Sequence, residues 1–505
     1  MERMAALSPI NAQGVRRTSV GSSFALWKAF HERTNDLGDL AAVVTSTEKL
    51  SFGDLWEEAD RLASFFAEAG VAEGTVAGLA LANSPRFPAA FLALCRLDAT
   101  VALLSPQYGS AELSAIVAGV RPSCIVAEAG VAAAVAAAVP NARFSSSGGF
   151  EVLLPDDPGG EASTAALLKF SSGSTAEPKG IALSSANVLA EVENVTRTLA
   201  LGPGDRVLAG VPLFHSYGFD LGVLPTLSAG TTLVLEDAFV PRRTLAALAG
   251  SALAAFLGVP AQYRALLAAR SDPQPDLSAV RWLLSCTAPL APDVVTEFAD
   301  RFRAPICQHY GSSETGAVTN HVPAEVLRRP ESVGRAMAGV RAFVVDADGA
   351  EVPAGEEGEV VVESGAVAGG YVLGAPPGPS PFRAGSFWTG DVGHMDADGF
   401  LTVLGRRDAL INVGGLKVSP AEVGATLERH PAVREAAVVG VPDGRGDELP
   451  YAVVALSEPA DESELLAFCR DALAEYKVPR RVEIRDELPR TAAGKVRLTA
   501  EDLQA

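Results

Sequence analysis

The chain has 505 residues, 48% of them apolar and 20% charged, the make-up of a globular protein of about three domain-sized units that buries its own core. A formal net charge of −20 and a pI near 4.8 exclude holding nucleic acid through a basic field, so any phosphate chemistry must use local donors. Five cysteines, Cys95, Cys124, Cys286, Cys307 and Cys469, form no C-x-x-C pair, which argues against a zinc site and fits a reducing, cytoplasmic setting. The opening MERMAALSPINAQGVRR has no continuous apolar stretch, so a secretory signal is not expected. Helical spacing of apolar residues predicts a helix over 52–69, stopped by Gly70, and another over 87–97. Short apolar runs at 76–81 and 102–104 read as buried strands. The alanine-rich 130–140 is too short to span a bilayer and reads as a small helix on a sheet. The pattern recurs at 206–211, 232–235 and 281–284. Such alternation predicts a mostly parallel sheet covered by helices.

Beyond about Gly339 the texture changes. Residues 341–364, RAFVVDADGAEVPAGEEGEVVVES, read as strands joined by Asp-Gly and Gly-rich turns. A Gly/Pro loop at 374–381 precedes Thr389-Gly390-Asp391. A smaller α+β unit then follows, with helices over 420–429 and 462–475 and a strand over 435–441. The expected division is therefore α/β: 1–407, with a β-rich part from about 340, and a small unit at 408–505.

The strongest chemical signal is Ser171-Ser172-Gly173-Ser174-Thr175-Ala176-Glu177-Pro178-Lys179-Gly180, placed after the apolar run 165–170. Small hydroxylated residues with glycine let backbone N–H groups close around phosphate oxygens, and Lys179 adds a mobile charge. The spacing is not that of a Walker A loop. A surface Ser/Gly turn is the plain alternative.

This loop resembles the phosphate-binding loop of the ANL superfamily, which comprises acyl-CoA synthetases, peptide-synthetase adenylation domains and luciferases. Further signatures follow in that family's order. Pro212-Leu213-Phe214-His215-Ser216-Tyr217-Gly218-Phe219 resembles its aromatic/His segment. Tyr310-Gly311-Ser312-Ser313-Glu314 is similar to its Y-G-x-T-E segment. Thr389-Gly390-Asp391 resembles its ribose-binding motif, Gly405-Arg406-Arg407-Asp408 its hinge, and Pro489-Arg490-Thr491-Ala492-Ala493-Gly494-Lys495 its C-terminal lysine loop. Two positions depart: Ala176 stands for the usual Gly, and Ser313 for Thr, which keeps the hydroxyl.

The resemblance implies a large N-terminal domain of βα-layered sheets with a β-rich subdomain, and a small mobile C-terminal lid domain. It implies an acid–thiol ligase. Attack of a carboxylate on the α-phosphorus of ATP makes an acyl-adenylate, and a thiol of coenzyme A or phosphopantetheine then takes the acyl group. Two anions must meet, so positive charge and oriented donors are needed. By the resemblance Lys495 reaches between the acid and the α-phosphate, with His215 beside it as a second catalytic candidate. Ser171, Ser172, Gly173, Ser174, Thr175 and Lys179 hold phosphates. Glu314 holds Mg2+. Tyr310 lies on adenine, Ser313 and Arg406 help fix the nucleotide, and Asp391 accepts from the ribose hydroxyls. The small domain turns about Asp408.

His215, Phe219, Cys286 and His309 border the acid pocket on this reading. The last two positions are often Gly in acyl-CoA synthetases, so larger side chains there favour a compact, aromatic or substituted acid. His215 stands where amino-acid-activating relatives carry Asp, which argues against an α-amino acid. The alternatives are a medium- or long-chain fatty acid ligase, a stand-alone adenylation enzyme passing the acyl group to a separate acyl carrier protein, a luciferase-like oxidoreductase, and a nucleotide-binding protein without turnover. A small-molecule carboxylic acid is the expected partner, with no nucleic acid and no membrane span. Bulk acidity weakly favours coenzyme A over an acidic carrier.

Overall fold

The computed structural model describes residues 22–139, 142–155, 165–172, 178–250, 252–271, 273–376, 378–383, 385–407, 409–413, 416–442, 448–490, 496 and 498–503. Among these, two large sheets carry the N-terminal part. In the first, of 14 strands, Ala41–Val44, Thr232–Leu235, Arg206–Ala209, Ala255–Gly258, Trp282–Ser285 and Ile306–Ser312 run parallel. From Ile306–Ser312 onward the pairing becomes antiparallel through Gly316–Asn320, Gly334–Ala336, Phe400–Arg406, Ser386–Met395, Gly358–Ser364 and Val340–Val345. The segment rich in Asp-Gly turns thus extends the same sheet. The expectation of one mostly parallel sheet gives way to two mixed ones. In the second, of eight strands, Leu167–Ser172, Thr100–Leu103, Val76–Ala80 and Cys124–Glu128 form a parallel centre. Pro178–Leu183 and Gly370–Leu373 pair antiparallel on one side.

The local chemistry explains these elements. Helix Phe52–Glu68 opens on a capping box, with Ser51 and Asp54 satisfying each other's backbone N–H. It buries Phe52, Leu55, Ala59, Leu62, Ala63 and Phe66, one stripe at helical spacing. Burying a Leu or Phe of that stripe contributes about 1.5–3 kcal/mol. Helix Phe87–Arg96 buries every residue from Phe87 to Cys95, so it lies inside the core rather than upon it. Strand Val76–Ala80 is buried throughout, as a strand covered on both faces must be.

After Arg406 the pairing starts afresh. Val433–Pro442, Glu448–Leu456 and Arg481–Arg485 make a three-stranded sheet. Helices Pro420–Glu428 and Glu462–Ala472 help enclose a separate apolar cluster that includes Val423, Leu427, Val454, Leu465 and Cys469. The predicted helix to 475 ends at Ala472, and Glu475–Lys477 is a 3-10 turn. Mixed α/β sheets in a large N-terminal part, with a small α+β C-terminal part, agree with the expected fold class.

Candidate active site

The strand Ile306–Ser312 sits where the large sheet changes from parallel to antiparallel pairing. It turns back into Gly316–Asn320 with Gly311 opposite Ala317. A Cβ on Gly311 would stand 2.4 Å from the Gly316 carbonyl oxygen, so the residue after Tyr310 must be glycine for the hairpin to close. Within the turn, Ser312 N–H donates to Thr315 Oγ1 at 3.1 Å and Glu314 N–H to Ser312 Oγ at 3.3 Å. Short hydroxyl side chains here replace the backbone partners that the turn lacks. Ser313 Oγ lies 2.7 Å from Ser216 Oγ, which ties this turn to the aromatic/His segment.

Tyr310 donates its hydroxyl to Asp391 Oδ2 at 2.5 Å. Burial first, then the Asp391 carboxylate, push that hydroxyl well above its usual range, so it stays a protonated donor. Asp391 is opposite Arg406 in the pairing of Ser386–Met395 with Phe400–Arg406. Arg406 Nη1 donates to Thr389 O at 2.7 Å, while its Nε lies 3.9 Å from Asp391 Oδ1. The turn before Asp391 needs Gly390 at φ +74°. Gly390 N–H donates to Glu359 Oε1 at 3.1 Å, and Arg407 Nη2 lies 2.5 Å from Glu359 Oε2. One buried carboxylate therefore seats both the Thr-Gly-Asp turn and the residue before Asp408.

Glu314 accepts from the Tyr371 hydroxyl at 2.9 Å through Oε1, and its carbonyl accepts from Ala368 N–H at 2.8 Å. Lys179 Nζ stands 5.9 Å from the centre of the same Tyr371 ring. Tyr371 reaches both because Gly370–Leu373 pairs with Pro178–Leu183, which in turn places Lys179 opposite Ser171. One phenol thus separates the carboxylate and the ammonium. Neither Tyr371 nor Glu359 was expected from the sequence. Tyr371 lies in a glycine-rich stretch that shows no period, and Glu359 alternates within a strand like any surface residue.

Around the expected acid pocket, His215 Nδ1 accepts from Tyr217 N–H at 3.3 Å and caps the short helix Ser216–Gly218. That acceptor role assigns the neutral ring's proton to Nε2. Gly218 is required by proximity, since a Cβ there would meet the Pro212 carbonyl oxygen at 2.2 Å. His309 is buried and stacks on Tyr217, centroids 5.9 Å apart and planes 19° off parallel. Its Nδ1 is 3.3 Å from Asn320 Oδ1. Burial lowers its pKa to about 4, so the ring is neutral near pH 7. Cys286 is buried too, and the Tyr217 and Tyr263 hydroxyls both donate to Leu284 O, at 3.0 and 2.8 Å. Phe219 is fully buried and its ring packs edge-on against Phe87 and Phe91 in the core.

Gly173, Ser174, Thr175, Asp408 and Lys495 lie outside the described residues, as does the side chain of Ser172. Arg490 pairs with Val496 across the lysine-loop sequence. Among the described residues no three His, Cys, Asp or Glu side chains cluster as a metal cage. A single carboxylate such as Glu314 suits Mg2+, which takes one or two carboxylates and fills its shell from phosphates and water. Asp391, an acceptor-only group beside a tyrosine, suits a ribose diol.

Comparison with known proteins shows the family of the chain. The AMP-binding enzyme family matches residues 30–372, and the AMP-binding enzyme C-terminal domain matches residues 422–495. The chain belongs to the AMP-binding enzyme family. A probable CoA ligase of Humulus lupulus is 31% identical over 93% of this chain and 95% of its own length. An indoleacetate–CoA ligase of Aromatoleum aromaticum is 32% identical over 89% and 92%. Among solved structures, an amide bond synthetase of Marinactinospora thermotolerans superimposes with a TM-score of 0.82 at 28% identity, covering 96% of this chain and 99% of that one. This AMP-binding enzyme is an AMP-forming acid–thiol ligase of the adenylate-forming superfamily, using ATP and a small-molecule carboxylic acid. No helix among its described residues is long and apolar enough to cross a membrane.

Proposed function

We propose that this ligase activates a compact aromatic or substituted carboxylic acid and passes the acyl group to coenzyme A. The stack of Tyr217 on His309, with Cys286 beside it, carries that reading. Two parallel rings make a flat, stiff wall where an alkyl chain would need an open channel. The His309 proton sits on Nδ1 toward Asn320, which makes Nε2 an acceptor suited to a hydroxyl or amino group on the acid.

In the first half-reaction a carboxylate oxygen attacks the α-phosphorus, and pyrophosphate leaves. Lys495 places its ammonium between the two anions, and His215 offers Nε2–H to the incoming carboxylate. Asp391 takes the ribose hydroxyls, with Tyr310 holding one carboxylate oxygen and covering the adenine. Arg406 fixes the nucleotide through its place against Thr389. Ser171, Ser172, Gly173, Ser174, Thr175 and Lys179 cradle the phosphates. Glu314, oriented by Tyr371, would hold Mg2+, which when bound neutralises phosphate charge. In the second half-reaction a thiolate attacks the acyl carbonyl and AMP leaves. The unit after Arg407 turns about Asp408 between the two steps, so that lysine and thiol use the same space in turn.

Acid-dependent pyrophosphate exchange across a panel of aryl, hydroxyaryl, short and long alkyl acids tests the substrate class. Aryl acids should exchange fastest; exchange confined to long alkyl acids would reject it. Adding coenzyme A, a pantetheinylated carrier protein or a simple amine to the best acid then reads the acceptor. The likeness to an amide bond synthetase makes the amine arm a real alternative. Thioester with coenzyme A is the expected product, and oxygen uptake would favour the oxidoreductase reading.

A further inference from the structure

Three charged side chains lie in the core behind the site, each 3% exposed: Lys169, Glu191 and Asp220. Burying such groups is costly unless they are paired. Lys169 Nζ stands 2.6 and 2.7 Å from the two Asp220 oxygens. Glu191, on helix Ser185–Thr198, accepts from Ala317 N–H at 2.9 Å through Oε1. Its Oε2 has no hydrogen-bond partner among the described residues and would lie 2.1 Å from a Cβ built on Gly316. The carboxyl group therefore rests directly on the end of the Glu314 turn, which closes with Gly316 at φ +67°.

Each member also joins a different part of the site. Lys169 precedes Ser171 by two residues, on the same face of strand Leu167–Ser172. Asp220 follows Phe219 in the π-helical turn Phe219–Val223, a distortion that is frequent at functional sites. Glu191 reaches the metal turn. The proposed chemistry uses none of the three. We propose that Glu191 is a positioning residue for the Glu314 turn, holding Ala317 N–H and resting on Gly316. Charge supports the assignment: burial foremost, then Asp220, raise the Glu191 pKa to about 8 against the pull of Lys169 and Ala317 N–H.

The inference rests on the proposed role of Glu314. The test uses the full chain and three variants: Glu191→Leu, Glu191→Gln and Glu314→Gln. Acid-dependent pyrophosphate exchange gives kcat and the half-saturating Mg2+, and calorimetric titration of Mg2+·ATP gives binding apart from turnover. A shift of the turn by about 1 Å should lower exchange kcat about 10²-fold in Glu191→Leu, with weaker Mg2+·ATP binding and an unchanged KM for the acid. Glu191→Gln keeps an acceptor for Ala317 N–H and should recover most of the loss. If Glu191→Leu does not fold, the all-apolar triple variant Lys169→Met, Asp220→Leu, Glu191→Leu takes its place with the same expectation. Wild-type kcat and Mg2+·ATP binding in either folded variant would overturn the inference, as would equal loss in Glu191→Gln. Glu314→Gln separates the readings: if it leaves Mg2+ dependence unchanged, the metal assignment fails, whatever the Glu191 variants show.

Discussion

Glu191 shows how a single residue can turn burial into pH dependence. Its pKa of about 8 in the folded chain stands above the ordinary 4.5. The native protein keeps this proton over a range where the unfolded chain has lost it. Its contribution to stability is therefore full below about pH 4.5, falls as pH rises toward about 8, and is flat beyond. Asp220 and Lys169 are the charged groups that face it. Glu191→Gln removes the titration, so the stability difference between parent and variant should change by on the order of 1 kcal/mol per pH unit across that window. Melting temperatures at a series of pH values read this directly; parallel curves would mean that Glu191 is ionised in the native state. None of it was legible in the sequence. Lys169 sits within 165–170, which reads as an apolar run, and Glu191 looks like any polar position on a helix. Pairing across 51 positions in sequence is what makes a buried lysine tolerable, and no local pattern announces it. Tyr310, Glu314 and Asp391 were singled out because Tyr310-Gly311-Ser312-Ser313-Glu314 and Thr389-Gly390-Asp391 resemble family segments, and the glycine in each answers to a close approach or a positive φ.

At the scale of elements, the site depends on segments held together through the core. Strand Leu167–Ser172 is joined to the π-helical turn Phe219–Val223 by the Lys169–Asp220 pair, and helix Ser185–Thr198 to the Glu314 hairpin by Glu191. Lys169→Met strands the Asp220 carboxylate in the core and should cost about 3–5 kcal/mol. Replacing both, as Lys169→Met with Asp220→Leu, should recover much of that cost, because the orphaned charge is gone. Urea unfolding of the two single variants and the double one decides it; additive losses would show that the two groups do not act as a pair. Long amphipathic elements were the easiest to foresee. The helix expected over 52–69 is Phe52–Glu68, and the strand at 232–235 is Thr232–Leu235. Short strands shifted, as with 102–104, which is Thr100–Leu103: Thr100 is buried and bonded to Ala165 O rather than exposed, so the strand begins earlier. The antiparallel extension of the large sheet was not foreseeable, since strand order rests on contacts distant in sequence.

At the scale of the whole molecule, one site must serve two reactions in the proposed ligase. Between the two parts, Arg264 meets Glu428 at 3.1 Å and Arg429 stands 3.9 Å from Asp293. Both pairs link helices of the large part to the end of helix Pro420–Glu428, and such contacts must break and re-form if the small unit turns. Glu359, clamped on Arg407, anchors the last residue before the proposed pivot. Asp408→Pro would fix φ near −65° and remove an N–H, limiting rotation there. Pyrophosphate exchange should survive while thioester formation falls, about 10²-fold if a catalytic arrangement is missed by about 1 Å. Thioester synthesis at the parent rate from supplied acyl-adenylate would remove Asp408 from that role. Activation of the acid by bonding its own oxygen to the α-phosphorus can be read directly from the fate of that oxygen. The acid that exchanges best is labelled with oxygen-18 in both carboxylate positions and turned over with ATP and coenzyme A. Mass spectrometry should find one labelled oxygen in each AMP released and none in pyrophosphate, with the rate down by about 10²–10³ in Lys495→Ala. Unlabelled AMP, or label in pyrophosphate or phosphate, would rule out an acyl-adenylate formed in this way.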